Sequence, residues 1–220
     1  MAPRTPKIIF DLDGTLIDVS DRHYKVYHDT VILLNGKPLD KKTYWDYKMD
    51  NMSWAFILEK SQLPSDIEDE YLDAFKQTIE KLPYLKMDKI IPGARELLES
   101  IYNKYDLYLI SLRRNDKNLQ EEIKYLKLNK YFKKIISGHT DKKDPGFKTD
   151  LIRKGLDDYK NAVIVGDTEV DVISGNTLGI TTVAVLSGIR NKKNLDKLKP
   201  SYVIDSASEL SKVLPELFKD

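Results

Sequence analysis

The chain has 220 residues, of which 41% are apolar, and its 36 basic residues nearly balance its 35 acidic residues, for a net charge of +1. This length suits one domain or a core with a modest insert, and the composition excludes a disordered or membrane-embedded chain. The absence of cysteine excludes a disulfide scaffold, a thiolate metal site and a cysteine nucleophile.

The near-neutral charge predicts neither a nucleic acid partner nor a membrane partner. No apolar run approaches the roughly twenty residues of a membrane span, and the first residues lack an apolar segment of signal-peptide length. We therefore expect a soluble, cytoplasmic protein, and a monomer. The three histidines, His23, His28 and His139, lack the spacing of a zinc site.

The first predicted strand, Lys7–Phe10, runs directly into an acidic turn, Asp11–Leu16, with the sequence DLDGTL. Ligands of open α/β sheets bind outside the carboxyl ends of the strands, so this turn is a candidate site. Of its two carboxylates, Asp11 and Asp13, one can serve as a metal ligand and nucleophile and the other as an acid and base. Gly14 lets the backbone approach a ligand. A solvated acidic turn is the alternative.

Residues 19–87 contain no convincing strand, although helical spacing is visible from Ile67 to Ile79. We predict an all-helical subdomain at 19–87, inserted into a core formed by residues 1–18 and 88–220. The insert is rich in aromatic residues, which are more typical of a packed core than of a ligand pocket. They are Tyr24, Tyr27, Tyr44, Trp45, Tyr47, Trp54, Phe56, Tyr71, Phe75 and Tyr84.

After the insert, short apolar runs alternate with amphipathic stretches of helical length. The runs are Leu107–Ser111, Lys134–Ser137, Ala162–Val165, Thr181–Val185 and Tyr202–Ile204. They show little polar alternation, as expected for parallel strands covered on both faces. The alternation predicts a doubly wound, Rossmann-like α/β fold with a parallel sheet.

Further polar residues follow these strands. Asp167 follows Ala162–Val165, and Asp171 lies one helical turn later. Asp11, Asp167 and a backbone carbonyl near Asp13 would suit Mg²⁺, which prefers oxygen ligands. Helix capping is the alternative role of Asp167.

A phosphate site is also predicted at this edge. The Ser111 hydroxyl and the backbone N–H of Leu112 form a possible cradle for phosphate oxygens. Lys148, expected to open the helix before the Asp167 strand, would supply the positive charge that a phosphate needs beside carboxylates.

The order and spacing of these four segments resemble the haloacid dehalogenase superfamily. The match consists of DLDGTL at Asp11–Leu16, Ser111 after its strand, Lys148 near a helix start and GDTEVD at Gly166–Asp171. The position of the insert is similar to that of the helical cap of phosphoglycolate phosphatases and β-phosphoglucomutases. The resemblance covers essentially the whole chain.

This resemblance implies a phosphatase that acts on a small phosphorylated metabolite with Mg²⁺ as cofactor. Asp11 would form an aspartyl-phosphate, and Asp13 would act as acid and base and offer its backbone carbonyl to the metal. Asp167 would bind the metal, with Asp171 supporting the water molecules around it. Ser111, Leu112 and Lys148 would hold the phosphoryl oxygens.

Several alternatives stay open. Lys143 is a second candidate for the phosphate-binding lysine, and Arg113 is either a substrate contact or a surface residue. A phosphomutase would need a second phosphate site in the insert, for which the candidate cations are Arg22, Lys41, Lys42 and Lys48. A catalytically silent binding or regulatory protein on the same fold is the other alternative.

Overall fold

The computed structural model describes residues 5–140 and 145–218. The strands are β1 (Lys7–Phe10), β2 (Ile17–Asp18), β3 (Lys89–Ile90), β4 (Asp106–Ser111), β5 (Lys134–Ser137), β6 (Ala162–Gly166), β7 (Thr181–Val185) and β8 (Tyr202–Ile204). The helices are α1 (Ser20–Leu33), α2 (Lys41–Met49), α3 (Trp54–Lys60), α4 (Glu68–Thr78), α5 (Leu82–Leu85), α6 (Ala94–Ile101), α7 (Asp116–Tyr125), α8 (Pro145–Gly155), α9 (Glu169–Leu178), α10 (Lys192–Asp196) and α11 (Leu210–Leu217).

Six strands form a parallel sheet in the order β5-β4-β1-β6-β7-β8. Its central strands are apolar and covered on both faces: Ile8, Ile9 and Phe10 are fully buried, and all of β6 is buried. The doubly wound α/β fold predicted from the apolar runs is therefore confirmed. A separate two-stranded sheet pairs β2 with β3, which are too short to show any periodicity in the sequence.

The strand order defines where ligands can bind. From β1 the chain winds outward through β4 to β5, then returns to place β6 on the other side of β1. The direction of winding therefore reverses between β1 and β6. In such sheets the crevice at the carboxyl ends of the two strands beside the reversal is the usual ligand site.

The chain divides into two compact units: Met1–Asp18 with Ile90–Asp220, and Val19–Lys89. The first contains the six-stranded sheet, and the second contains α1 to α5. The insert predicted from sequence, residues 19–87, ends two residues before the second unit does. Among the described residues, no helix combines the length and apolar character that crossing a bilayer requires.

The aromatic residues of the second unit form its core, as their spacing predicts. Tyr27, Tyr44 and Tyr71 are fully buried there. The rings of Tyr27 and Tyr44 stack with centroids 4.1 Å apart. Trp45, Tyr47 and Trp54 pack against the same cluster, so burial of aromatic surface contributes to the stability of the second unit beside its aliphatic residues.

Helix α8 begins earlier than the sequence indicates. Lys148, expected to open this helix, is its fourth residue, because α8 begins at Pro145. Proline suits the first turn of a helix, where its missing N–H has no partner to lose. Ile152 and Leu156 pack α8 on one face of the sheet, and this packing carries Lys148 to the carboxyl edge.

Candidate active site

Three carboxylates converge where β1 and β6 end. Asp11 follows β1, and its backbone N–H donates to the carbonyl of Val165 in β6 over 2.9 Å. Asp167 follows β6, and Asp171 lies in the first turn of α9. One oxygen from each of these three side chains lies within 4.8 Å of the others. The structure thus brings together three of the acidic residues that the sequence singles out.

Lys148 lies inside this cluster. Its Nζ donates to Oδ1 of Asp11 and to Oδ1 of Asp171, each over 2.5 Å. The lysine is only 1% exposed, so its ammonium serves the cluster and not the solvent. The alternative lysine, Lys143, lies outside the described residues.

Asp167 is held by neutral donors and by close backbone. Its Oδ1 accepts from the Thr15 hydroxyl over 3.1 Å, and its Oδ2 accepts from the Ile189 N–H over 2.7 Å. A Cβ added at Gly14 or Gly188 would overlap the Asp167 carboxylate. The absence of side chains at these two glycines therefore leaves the space that this carboxylate occupies. Thr168, not Asp167, occupies the N-cap position of α9.

Both oxygens of Asp171 are already engaged. Oδ1 accepts from Lys148, and Oδ2 accepts from the Thr168 N–H over 3.1 Å and from the Thr168 hydroxyl over 2.8 Å. Gly166 makes room for this side chain, since a Cβ there would overlap it. Asp171 is thus placed to orient Lys148 and the start of α9, and Asp11 is the most exposed of the three carboxylates.

The electrostatics of the cluster are unbalanced. Burial raises the pKa of Asp11 to about 7, although the Lys148 ammonium opposes the rise. Burial, together with Asp11 and Asp171, raises the pKa of Asp167 well above its ordinary value. Burial alone would lower the pKa of Lys148, but the carboxylates of Asp11 and Asp171 more than offset it and raise that pKa. Three carboxylates share one ammonium, which leaves excess negative charge.

The donor set fits a divalent, oxygen-loving cation. Asp11 and Asp167 offer carboxylate oxygens at the strand ends, and no soft sulfur or imidazole ligand belongs to the set. Mg²⁺ prefers such hard oxygen ligands. The two positive charges of such an ion would also neutralise the excess negative charge that the three carboxylates leave after pairing with the Lys148 ammonium. The residues present therefore suit the Mg²⁺ that the sequence predicts.

Asp13 is paired with an arginine. Its Oδ2 accepts from Arg113 Nε over 2.5 Å, and its Oδ1 accepts from Arg113 Nη2 over 2.6 Å. Arg113 is only 5% exposed and also lies 3.3 Å from Oε2 of Glu122. The arginine considered as a substrate contact or a surface residue is therefore buried against two carboxylates.

The predicted phosphate cradle lies on the neighbouring strand end. Ser111 ends β4, beside β1, and is 2% exposed. Leu112 follows it directly and is half-buried. Because β4, β1 and β6 are adjacent, Ser111, Asp11 and Asp167 stand at three neighbouring strand ends. The role of Ser111 and Leu112 as a phosphate cradle stays a prediction.

Several residues of the site were not predicted from the sequence. Ser187, Gly188 and Ile189 follow β7 at the same edge, and the Ser187 hydroxyl donates to the Gly14 carbonyl over 2.8 Å. Their position after a strand could have identified them. Thr15 lies inside the first motif, yet its hydroxyl carries no sequence signal for a bond to a residue 152 positions away.

Comparisons with known proteins agree with this geometry. The sequence profile described as "Haloacid dehalogenase-like hydrolase" matches residues 8–185. A phosphoglycolate phosphatase of Aquifex aeolicus is 30% identical over 220 residues, covering 94% of this chain and 95% of the relative. A protein of Caldanaerobacter subterraneus named as a pyrophosphatase is 25% identical, covering 94% and 93%.

Solved structures share the fold. A haloacid dehalogenase-like family protein of Streptococcus pneumoniae superposes with a TM-score of 0.76 at 23% identity, covering 94% of this chain and 97% of that one. The profile match spans well over half of the chain and includes Asp11, Asp13, Lys148 and Asp167. The family predicted from the four motifs is confirmed: the chain belongs to the haloacid dehalogenase-like hydrolases.

Proposed function

We propose that this hydrolase is a Mg²⁺-dependent phosphatase that cleaves a small phosphomonoester through an aspartyl-phosphate on Asp11. The observation that carries the proposal is the cluster of Asp11, Asp167 and Asp171 with Lys148 bonded to two of them. A nucleophile, a metal ligand and a cation at one strand edge are the groups that phosphoryl transfer requires.

Asp11 would attack phosphorus with one carboxylate oxygen. Lys148 holds Oδ1 of this carboxylate, so Oδ2 would be the attacking oxygen. The phosphorus–oxygen bond of the ester breaks as the bond to Asp11 forms. Lys148, Ser111 and the Leu112 N–H would hold the equatorial oxygens, where charge accumulates in the transition state.

Asp13 would move the protons. In the first step it gives a proton to the departing alkoxide. In the second step its carboxylate takes a proton from the water that attacks the aspartyl-phosphate, which releases inorganic phosphate and restores Asp11. The sum of the two steps is hydrolysis of the ester, and each residue returns to its starting state.

Asp11 and Asp167 would hold Mg²⁺ through their carboxylates and Asp13 through its backbone carbonyl. The ion would neutralise charge between the nucleophile and the phosphoryl group. The Thr15 and Ile189 donors keep Asp167 fixed for this role. Asp171 would act from behind, by orienting Lys148.

The substrate we propose first is phosphoglycolate, since the relative of highest identity named above carries that activity in its name. Pyrophosphate is the second candidate. The second unit, Val19–Lys89, would supply the selectivity of a cap domain.

Hydrolysis is favoured over phosphoryl transfer between two sites on one sugar. The four cations considered for a second phosphate site already have partners within the second unit. Arg22 is buried against Asp88, Lys41 pairs with Asp21, Lys42 pairs with Asp46, and Lys48 lies 4.3 Å from the centroid of Trp54. A phosphomutase would need at least one of them to give up its partner.

The test is phosphate release from p-nitrophenyl phosphate, phosphoglycolate and pyrophosphate, with Mg²⁺ and with EDTA. We expect Mg²⁺-dependent release that falls by roughly 10⁴-fold or more in Asp11→Asn. The control is Asp150→Asn, which makes the same change at a side chain 57% exposed on α8. Release that survives in Asp11→Asn would refute the nucleophile, and no release from any ester by the wild type would refute the function.

A further inference from the structure

Asp13 and Arg113 form a bidentate salt bridge in the first unit. The guanidinium donates through Nε and Nη2 to the two oxygens of Asp13, over 2.5 and 2.6 Å. This geometry fixes the plane of the carboxylate as well as its position. An acid–base group in phosphoryl transfer needs such orientation, because its oxygen must reach the leaving group and then the water.

Glu122 lies behind Arg113. It sits on α7 and is only 3% exposed, with Oε2 3.3 Å from Arg113 Nη2. Glu122 lies within the apolar stripe that α7 turns to the interior. The positions with this spacing are Leu119, Glu122, Ile123 and Leu126. A glutamate in that stripe costs several kcal/mol of desolvation unless a cation accompanies it. Arg113 is that cation.

We infer that Glu122 is a positioning residue for the reaction: it holds Arg113, and Arg113 orients Asp13 for proton transfer. The inference rests on the proposed phosphatase function. During turnover Asp13 must exchange one bond from Arg113 for a contact with the leaving oxygen or the attacking water. Glu122 stays beside the buried guanidinium through that exchange, so Arg113 keeps a carboxylate partner and does not swing away.

This role differs from the two roles considered for Arg113 from the sequence alone. A substrate-binding arginine would face the ligand, and a surface arginine would face solvent, whereas Arg113 is 5% exposed between Asp13 and Glu122. Its neighbour Arg114 is exposed. The chain thus places one arginine of the pair inward, where it acts through Asp13.

The test compares esters that differ in their need for a proton. p-Nitrophenolate leaves without protonation, whereas an alkoxide does not. We compare kcat/KM for an alkyl phosphate with kcat/KM for p-nitrophenyl phosphate, as the ratio of the first to the second. Each kcat/KM covers the steps up to departure of the leaving group. We expect Glu122→Gln to lower this ratio by at least about tenfold, with Mg²⁺ affinity unchanged.

The matched control is Glu121→Gln, which removes the same charge from the exposed neighbouring position of α7 and leaves the ratio unchanged. Arg113→Lys keeps the charge but cannot bond both oxygens at once. Arg113→Lys should lower the ratio of the two kcat/KM values as Glu122→Gln does. If Glu122→Gln fails to fold, Arg113→Lys provides the test. Asp13→Asn combined with Glu122→Gln should be no slower than Asp13→Asn alone.

Equal loss of activity on both esters in Glu122→Gln would overturn the inference, since it would show a role in folding only. A rise in KM for both esters in Arg113→Lys, without a change in the ratio, would also overturn it and restore Arg113 as a substrate contact. If the wild type releases no phosphate from either ester, the proposed function itself fails, and that outcome is separate from these two.

Discussion

Gly188 is predicted to be essential for holding Asp167 in place. A Cβ at this position would lie 2.5 Å from Asp167 Cβ and closer still to its carboxylate, whereas real Cβ atoms stay beyond 3.0 Å. The carboxylate oxygen Oδ2 is the nearest atom, at 2.0 Å, so Gly188→Ala forces the Asp167 carboxylate to move by about 1 Å. The bonds from Thr15 and Ile189 would lengthen and weaken. Because both donors fix a proposed metal ligand, we expect Mg²⁺ affinity to fall by roughly 10–100-fold.

Gly179→Ala is the matched control. Gly179 ends α9 with φ at +67°, and nothing lies within 4 Å of an added Cβ. The substitution strains the backbone by about 1–2 kcal/mol but touches no site residue. We expect it to lower the midpoint of urea unfolding and to leave Mg²⁺ affinity at the wild-type value. Gly188 does not adopt a positive φ, so the two variants separate overlap with Asp167 from backbone strain.

The assay is calorimetric titration with Mg²⁺ beside urea unfolding in EDTA, so that binding and stability are measured separately. Wild-type affinity in Gly188→Ala would refute the reasoning, because it would show that the position of Asp167 does not govern the metal site. A loss of affinity in Gly179→Ala as large as that in Gly188→Ala would also refute it.

Three further predictions concern stability. A pKa raised from 3.8 to about 7 means that the Asp11 charge opposes folding by up to roughly 4 kcal/mol above pH 7 and by little below pH 4. In EDTA, Asp11→Asn should therefore melt at a higher temperature than the wild type at pH 8, with the difference vanishing in melts near pH 4. Asp88→Asn leaves the fully buried Arg22 without its carboxylate. It should therefore lower the free energy of unfolding in urea by about 3–5 kcal/mol, and the double variant Arg22→Met with Asp88→Leu should recover part of that free energy. Lys127 has φ at +55°, so Lys127→Gly should raise the urea midpoint by an amount equivalent to about 1 kcal/mol, and an unchanged or lower midpoint would contradict this.

Most of the sheet could be predicted from the sequence because buried parallel strands are short, apolar and separated by helices. Predicted and observed strands agree within one residue at β4 and β6 and coincide at β1, β5, β7 and β8. The helical insert was harder to resolve, since helical spacing is clear in its sequence only from Ile67 to Ile79. Capping side chains were the available signal: Asp40 accepts from the Thr43 N–H, and Ser53 accepts from the Phe56 N–H.

The sequence could predict which residues belong to the candidate site, but it could not predict the contacts between them. Residues that follow parallel strands arrive at one edge, so Asp11, Ser111 and Asp167 could be grouped without a structure. Which side chain meets which depends on directions that no local pattern encodes. Arg113 illustrates this limit, because its sequence neighbourhood is equally typical of a substrate contact and of a surface residue.

The position of Arg113 could have been inferred from Glu122, a charged residue at an apolar position of its helix. Glu122 occupies an apolar position of α7, and a carboxylate there requires a buried cation within reach. Arg113, nine residues earlier and just after β4, satisfies that requirement through Nη2, and its Nε and Nη2 also donate to Asp13. A charged residue inside an apolar stripe therefore indicates a buried partner of opposite charge, and a pair of this kind near a strand end is a useful starting point for finding residues that position the groups of a site.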